Sequence, residues 1–366
     1  MREDYALRYL QKVLQDWSEG KLSTEVAWLR RVSGYKFDSY QDYYAGERFI
    51  SALIRWLNQF EREDRSFAYQ LIREHLIFLS AGEITQLVRR TMPGHFRPIL
   101  VRKIAHDLEI APYEIWSTAD NVAAYNRLLR RSLFIGLSDG ARIDVFRRAS
   151  PEISNDQVVV NYDLGARKLT SLLKDLRKVD AADARFEMVF LIDDFIGSGT
   201  TLCRLDEKEW AGKIRQFSTN IHGEWKNLLT ESFQIAAHHY VATECGLKVA
   251  RESLDRFCAA NLDGIWAAKT IELTHSLLLR DSIRFPEKKW PELDTFLEKY
   301  YDAGIMTASL RKGGDHVHHG FAGNGLTLVL EHNTPNNSLS IIWAESEGKP
   351  KTHRMVPLFR RRERHS

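Results

Sequence analysis

Two adjacent acids, Asp193 and Asp194, end an apolar run and meet a loop of glycines and hydroxyls in the stretch Met188–Leu202, MVFLIDDFIGSGTTL. A strand that delivers its last residues to such a loop presents ligands at the carboxyl end of a sheet. The loop offers successive backbone N–H groups, the hydroxyls of Ser198, Thr200 and Thr201, and an expected helix start behind them. Unpaired amides and a helix dipole both favour an anion such as a phosphate monoester. Gly197 and Gly199 leave room for close backbone approach. Two carboxylates beside a phosphate repel it unless they face another part of the same ligand. Vicinal hydroxyls meet that condition, because each donates a hydrogen bond to an acid. A sugar phosphate therefore fits both halves of the stretch.

Other loops of this general kind fit less well. A Walker A loop places lysine after its last glycine, whereas Thr200 follows Gly199. A dinucleotide fingerprint needs a third glycine where Leu202 stands. The acids resemble a Walker B pair, but no Walker A precedes them. A plain strand-to-helix turn with an aspartate cap remains the simplest alternative.

The surrounding elements are of the type that positions such a site. From about residue 130, apolar runs alternate with amphipathic helices. SLFIGL leads into the turn SDGA and the helix RIDVFRRA. QVVVNY, MVFLI and HHYVAT read as further strands. ARKLTSLLKDLRKV, with Leu169, Leu172, Leu173 and Leu176 on one face, LCRLDEKEWAGKIRQF and GLKVARESLDRF read as helices. Strands without polar alternation, separated by helices, predict an α/β fold with a parallel sheet covered on both faces. LTLVL and LSIIW read as two strands around the loop EHNTPNN. The first 105 residues read as helical, with Leu10, Val13, Leu14 and Trp17, and then Phe49, Ile50, Leu53, Ile54, Leu57 and Phe60, at helix spacing. Ser80 caps a helix with Glu83, and TMPGHFRP punctuates the pattern. Two domains are expected: a helical one over 1–105, of a size shared by winged-helix, packing and partner-binding modules, and an α/β one over 106–366.

Composition sets the outer bounds. The chain has 366 residues, 44% apolar and 28% charged, as in a folded globular protein. A net charge of +3 does not by itself call for nucleic acid or membrane. Cys203, Cys245 and Cys258 have no paired or metal-type spacing, and the charged start MREDYALRYL is unlike a signal peptide. No run reaches the about 20 apolar residues of a membrane span. A cytoplasmic location with no membrane partner is expected.

The segment VFLIDDFIGSGTT resembles the 5-phosphoribosyl-1-pyrophosphate (PRPP) signature of the type I phosphoribosyltransferases: four apolar residues, two acids, two apolar residues, then a small hydroxyl-rich loop. The resemblance implies that Asp193 and Asp194 take the ribose hydroxyls, while Ser198, Gly199, Thr200 and Thr201 take the 5′-phosphate. Phe195 is bulkier than the usual aliphatic, and Gly197 replaces a more usual small hydroxyl or alanine. LFIGLSDGARIDVFRR is similar to the family's first strand and pyrophosphate loop, with Ser138, Asp139, Gly140 and Ala141 in the turn and Arg142 set to meet a diphosphate. A capped helix start is its plain alternative. Together with EHNTPNNSLSIIW, these segments resemble the divergent phosphoribosyltransferase-like proteins of bacterial antiphage and conflict systems, including some retron loci, over roughly residues 105–360.

The family resemblance implies Mg²⁺ carried by the diphosphate and ribose of the substrate, with no metal ligand set in the chain itself. It also implies charge stabilisation by Asp193, Asp194 and Arg142. It leaves open a transferase, the reverse nucleotide-degrading reaction, a catalytically inactive PRPP or nucleotide sensor, and a defence effector restrained by a protein or nucleic-acid partner. Such a partner would bind the helical domain or the basic tail FRRRER.

The remaining clusters are read conservatively. Asn333, Asn336, Asn337 and Trp343 either form a turn or cover a base. Asp315, His316, His318 and His319 are expected in a flexible polar loop rather than a zinc site. His238 and His239 fall on opposite faces of one strand.

Overall fold

The computed structural model describes residues 3–160, 166–223, 225–261, 264–266, 269–348 and 352–362. Nine strands occur among them. They are β1 Ile77–Leu79, β2 Ser132–Gly136, β3 Val158–Val159, β4 Phe186–Ile196, β5 Arg204–Asp206, β6 Glu209–Ala211, β7 Leu229–Thr243, β8 Ile271–Leu279 and β9 Leu328–Leu330. The chain forms two compact units, Met1–Glu83 with Ser282–Ser366, and Ile84–Asp281. The C-terminal segment thus groups with the first helices rather than with the main sheet, and position 105 lies inside the helix Arg97–Asp107.

The Ile84–Asp281 unit holds a five-stranded, wholly parallel sheet in the order β3-β2-β4-β7-β8. Both faces of its centre are buried, which is why β2 and β4 read as near-continuous apolar runs. On one face, Leu133, Val189, Leu191, Ile235 and Ala237 pack in a core with Leu172, Ile214, Phe217, Leu254 and Phe257 from the covering helices. On the other, Phe96, Phe134, Phe146 and Phe190 stack together, with Phe134 and Phe190 nearly parallel at 5.1 Å. The β8 edge alternates Ile271, Leu273 and Leu277 with Glu272, Thr274 and Ser276, a half-buried pattern that hides it among loop-like residues in the sequence.

Several local expectations are overturned. LCRLDEKEWAGKIRQF is not one helix. It forms the antiparallel hairpin β5-β6 and then the helix Lys213–Ile221, because Gly212 at φ +105 breaks the chain between them. TMPGHFRP does not interrupt the helices. Met92–Phe96 is a π-helical turn leading into Arg97–Asp107. The QVVVNY strand is confined to Val158–Val159, and residues 161–165 lie outside the described segments.

In the other unit, the helix Phe49–Leu57 is apolar nearly all round and buries seven of its nine residues. The helices Glu3–Val13, Glu19–Tyr35 and Arg65–His75 belong to the same unit. The Ser80–Glu83 capping pair forms as expected, with Ser80 N donating to Glu83 Oε2 at 2.8 Å, but β1 fills the gap before it. β1 pairs in parallel with β9, Ile77 opposite Leu328. LSIIW is the short helix Ser340–Trp343 rather than a strand.

Of the basic tail, residues 363–366 lie outside the described segments. Phe359 is buried and stacks on Phe49, while Arg360 pairs with Glu345 at 3.2 Å. The histidine run has no regular secondary structure, and Asp315 and His316 in it are exposed. Val317 and His319 are buried, and His319 Nδ1 faces the Phe285 carbonyl at 2.7 Å while Nε2 faces Asp294 at 3.0 Å. Burial, with the neighbouring His316 and His319, pushes the His318 imidazole down to about 4.

Candidate functional site

In the five-stranded sheet the chain moves from β2 outward to β3, then crosses back to β4 on the opposite side of β2. The strand order therefore reverses between β2 and β4, and in open sheets of this type ligands bind beyond the carboxyl ends of the strands at such a switch point. The register brings Gly136 opposite Ile192, and Leu137 N donates to the Ile192 carbonyl at 2.8 Å. The next residues on the two strands, Ser138 and Asp193, consequently meet: Ser138 Oγ donates to Asp193 Oδ1 at 2.5 Å. The turn after β2 and the acid pair near the end of β4 thus converge on this point.

The acids are not equivalent. Asp193 is only 2% exposed, and its Oδ2 accepts from Lys213 Nζ. Burial raises its carboxyl pKa; Lys213 opposes the rise, the Asp194 charge adds to it, and the Ser138 bond opposes it. His239 Nε2 lies 4.0 Å from the same oxygen, and burial pushes that imidazole down to about 3, so it is neutral. Asp194 points to the other face and is half-buried, with Oδ1 accepting from Phe195 N at 2.9 Å. Its Oδ2 lies where a side chain on Gly140 would sit, 2.3 Å from an ideal Cβ there. Glycine at 140 is what admits this carboxylate.

The Ser138–Ala141 turn is held from below. Tyr240 on β7 is buried and its hydroxyl donates to the Ala141 carbonyl at 2.5 Å. Asp139 at the tip is exposed. Arg142 follows in the left-handed region (φ 44, ψ 44) and leads into the helix Ile143–Ala149. Burial lowers its pKa, while the charge of Asp194 works against that shift. A non-glycine residue in this backbone region costs about 1 kcal/mol, and such strain often accompanies a functional loop.

The 197–201 loop differs from expectation in one respect. The hairpin follows it directly, so the loop has no helix start of its own. It packs instead on the helix Glu244–Ala260. Thr243, the cap of that helix, donates to the Gly197 carbonyl and accepts from Gly246 N. Gly199, at φ +81, faces Gly246, where a Cβ would fall 2.4 Å from the Gly246 carbonyl oxygen. Its lack of a side chain is required for this packing. Ser198 and Thr200 are half-buried with hydroxyls 2.8 Å apart, and Thr201 is exposed.

Lys213, Tyr240 and Thr243 carry no signal of their own in the sequence, and His239 is read there only as lying on the strand face opposite His238. Lys213 lies beyond a hairpin, so no short-range spacing points to it. Tyr240 and Thr243 share the strand HHYVAT with His239, and only its register against β4, Asp193 opposite His239, gives them meaning. His238 faces away from the acids, its ring nitrogens meeting the hydroxyls of Thr274 at 2.9 Å and Ser276 at 3.0 Å. Trp343 is buried in its own unit, and its indole N–H donates to the Ser338 carbonyl at 2.8 Å. With only 6% of its surface exposed, that ring is not open to cover a base. A cavity of about 500 Å³ lies toward the amino ends of β4, β7 and β8, lined by Met188, Gln234, Lys269 and Glu272. It is at the wrong end of the strands for the acid pair.

Among the described residues no group of three or more histidine, cysteine or acidic side chains is placed to hold a metal. Both Asp193 oxygens already carry hydrogen-bond donors. No helix among these residues is long and apolar enough to cross a membrane.

Comparison with known proteins agrees with this architecture. The profile of the PRTase-CE family matches residues 53–361, which covers the sheet, the 138–141 and 197–201 loops and much of the helical unit. No curated protein and no solved structure matches the chain. A parallel five-stranded sheet flanked by helices, a turn and an acid pair meeting at its switch point and a profile spanning most of the length lead to one conclusion: the chain belongs to the PRTase-CE family, a phosphoribosyltransferase group of conflict-system effector-like proteins.

Proposed function

We propose that the switch point between β2 and β4 binds a 5-phosphorylated ribose, as PRPP or as a nucleotide, and transfers the phosphoribosyl group or removes it. The observation that carries this reading is the Ser138–Asp193 contact, which joins the acid pair to the turn bearing Gly140 and Arg142. Asp194, the more exposed acid, accepts from the ribose hydroxyls. The 197–201 amides and the hydroxyls of Ser198, Thr200 and Thr201 hold the 5′-phosphate. Arg142 and the amides of residues 138–141 bind the diphosphate.

In the reaction the bond from C1 to the diphosphate oxygen breaks, its electron pair leaves with the diphosphate, and the acceptor supplies the pair for the new bond. Asp194 steadies the positive charge that develops on the ring, and Arg142 the negative charge on the leaving group. Mg²⁺, when carried in on the diphosphate, supplies further charge neutralisation. The same residues serve the reverse cleavage of a nucleotide. The conflict-system description of the family supports a further role as an effector in bacterial antiphage defence.

Calorimetric titration with PRPP, ribose 5-phosphate and nucleoside monophosphates, each with and without Mg²⁺, tests the reading. Mass spectrometry of the mixtures then separates turnover from sensing. Wild-type protein should bind at least one of these ligands, and Asp194→Asn should weaken that binding while leaving the fold intact. No binding to any of them, or equal binding by the variant, would refute the proposal.

A further inference from the structure

Lys213 sits against the acid pair, and the sugar-phosphate reading by itself gives it no role. Its ammonium meets Asp193 Oδ2, and the two side chains are 14% and 3% exposed. A pair this deeply withdrawn from water stays together, because separating it leaves a buried charge without compensation. The neutral His239 on the buried side adds no counter-charge. Lys213 is also anchored to the neighbouring loop. Its N–H donates to the Thr201 carbonyl at 3.1 Å, and Gly212 just before it packs so closely that a Cβ would lie 2.9 Å from the same oxygen. The end of the 197–201 loop thus fixes the lysine, and the lysine fixes Asp193.

The charge balance follows from these contacts. Asp193 is neutralised by Lys213, and Asp194 is opposed by Arg142. Two acids face two bases, so a phosphate entering the loop does not meet an uncompensated acid pair. We infer that Lys213 is a built-in counter-cation for the ribose half of the site, so that a ribose 5-monophosphate is held without a divalent ion and only a 1-diphosphate calls for one. The inference rests on the sugar-phosphate reading and assigns Lys213 as a positioning residue within it.

The test is calorimetric titration of ribose 5-phosphate into the full-length protein, in EDTA and in excess magnesium chloride. Wild type should bind with equal affinity in both. Lys213→Met, which leaves Asp193 uncompensated, should lose about ten-fold or more in EDTA and regain much of it in magnesium. Asp193→Asn/Lys213→Met, with both charges gone, should return to magnesium-independent binding, a rescue that a purely structural lysine would not give. Wild-type binding that requires magnesium would overturn the inference while leaving the sugar-phosphate reading in place. So would a Lys213→Met variant that binds like wild type in EDTA. Absence of binding in both buffers, with PRPP and nucleotides equally inert, would remove the sugar-phosphate reading and this inference with it. Should the single variant fail to fold, the wild-type comparison between the two buffers still decides.

Discussion

Gly140→Ala isolates the role of Asp194 without touching any charge. The backbone at 140 is not in the left-handed region, so alanine is tolerated there conformationally. Its methyl would fall 2.3 Å from Asp194 Oδ2 and 2.6 Å from Cγ, and the carboxylate must retreat by about 1 Å to reach ordinary contact. Turning that side chain off its rotamer costs about 1 kcal/mol, and local overpacking about as much again. For a unit of this size, that lowers Tm by only a few degrees, roughly 2–4 °C per kcal/mol. Binding should suffer more. A hydrogen bond to a charged acceptor is worth about 1.5–3 kcal/mol, so displacing Asp194 from the ribose should weaken ribose 5-phosphate binding about ten- to hundred-fold. Calorimetry gives the affinity, and a circular-dichroism melt gives the fold. Unchanged affinity, with the methyl in place and the protein folded, would show that Asp194 does not grip the sugar.

Two further outcomes follow from the same geometry. Arg142→Gly removes a left-handed strain of about 1 kcal/mol, so its Tm should hold or rise slightly while PRPP affinity falls about ten-fold or more; a parallel fall in both would make Arg142 structural. Arg131 holds Asp180 through two bonds of 2.7 and 2.8 Å, in a setting little exposed to solvent, and brings that carboxyl down to about 2. Because the folded value lies below the unfolded one, this stabilisation of about 2 kcal/mol is complete above roughly pH 4 and is lost as pH falls through 2. Arg131→Met should therefore cost about that much in urea melts at pH 7 and progressively less toward pH 2; a cost independent of pH would refute the assignment.

The sheet was legible because its central strands are buried on both faces, and a strand of that kind leaves an unbroken apolar run such as MVFLI. The acid pair and the hydroxyl loop were legible for a related reason: polar residues placed directly after such a run stand out. The β8 edge was not, since a half-buried strand alternates in composition and IELTHSLLL resembles a loop. The hairpin after the hydroxyl loop was missed because Trp210, Ile214 and Phe217 mimic helical spacing across the break at Gly212. LSIIW was misread because four buried residues are too few for period to separate a strand from a helical turn. Lys213 lay beyond any local pattern, since its partner is set by the return of the chain and not by sequence distance.

The grouping of Met1–Glu83 with Ser282–Ser366 has a consequence for how the polypeptide matures. Synthesis runs from the amino end, so Ile77–Leu79 emerges long before Leu328–Leu330, the strand it pairs with. The intervening segment carries a core of its own, whereas the core of the terminal unit draws on residues from both ends of the chain. Truncation at either end therefore leaves an orphaned edge and an open apolar face, and an expression boundary drawn near residue 105 would cut a helix and separate that strand pair.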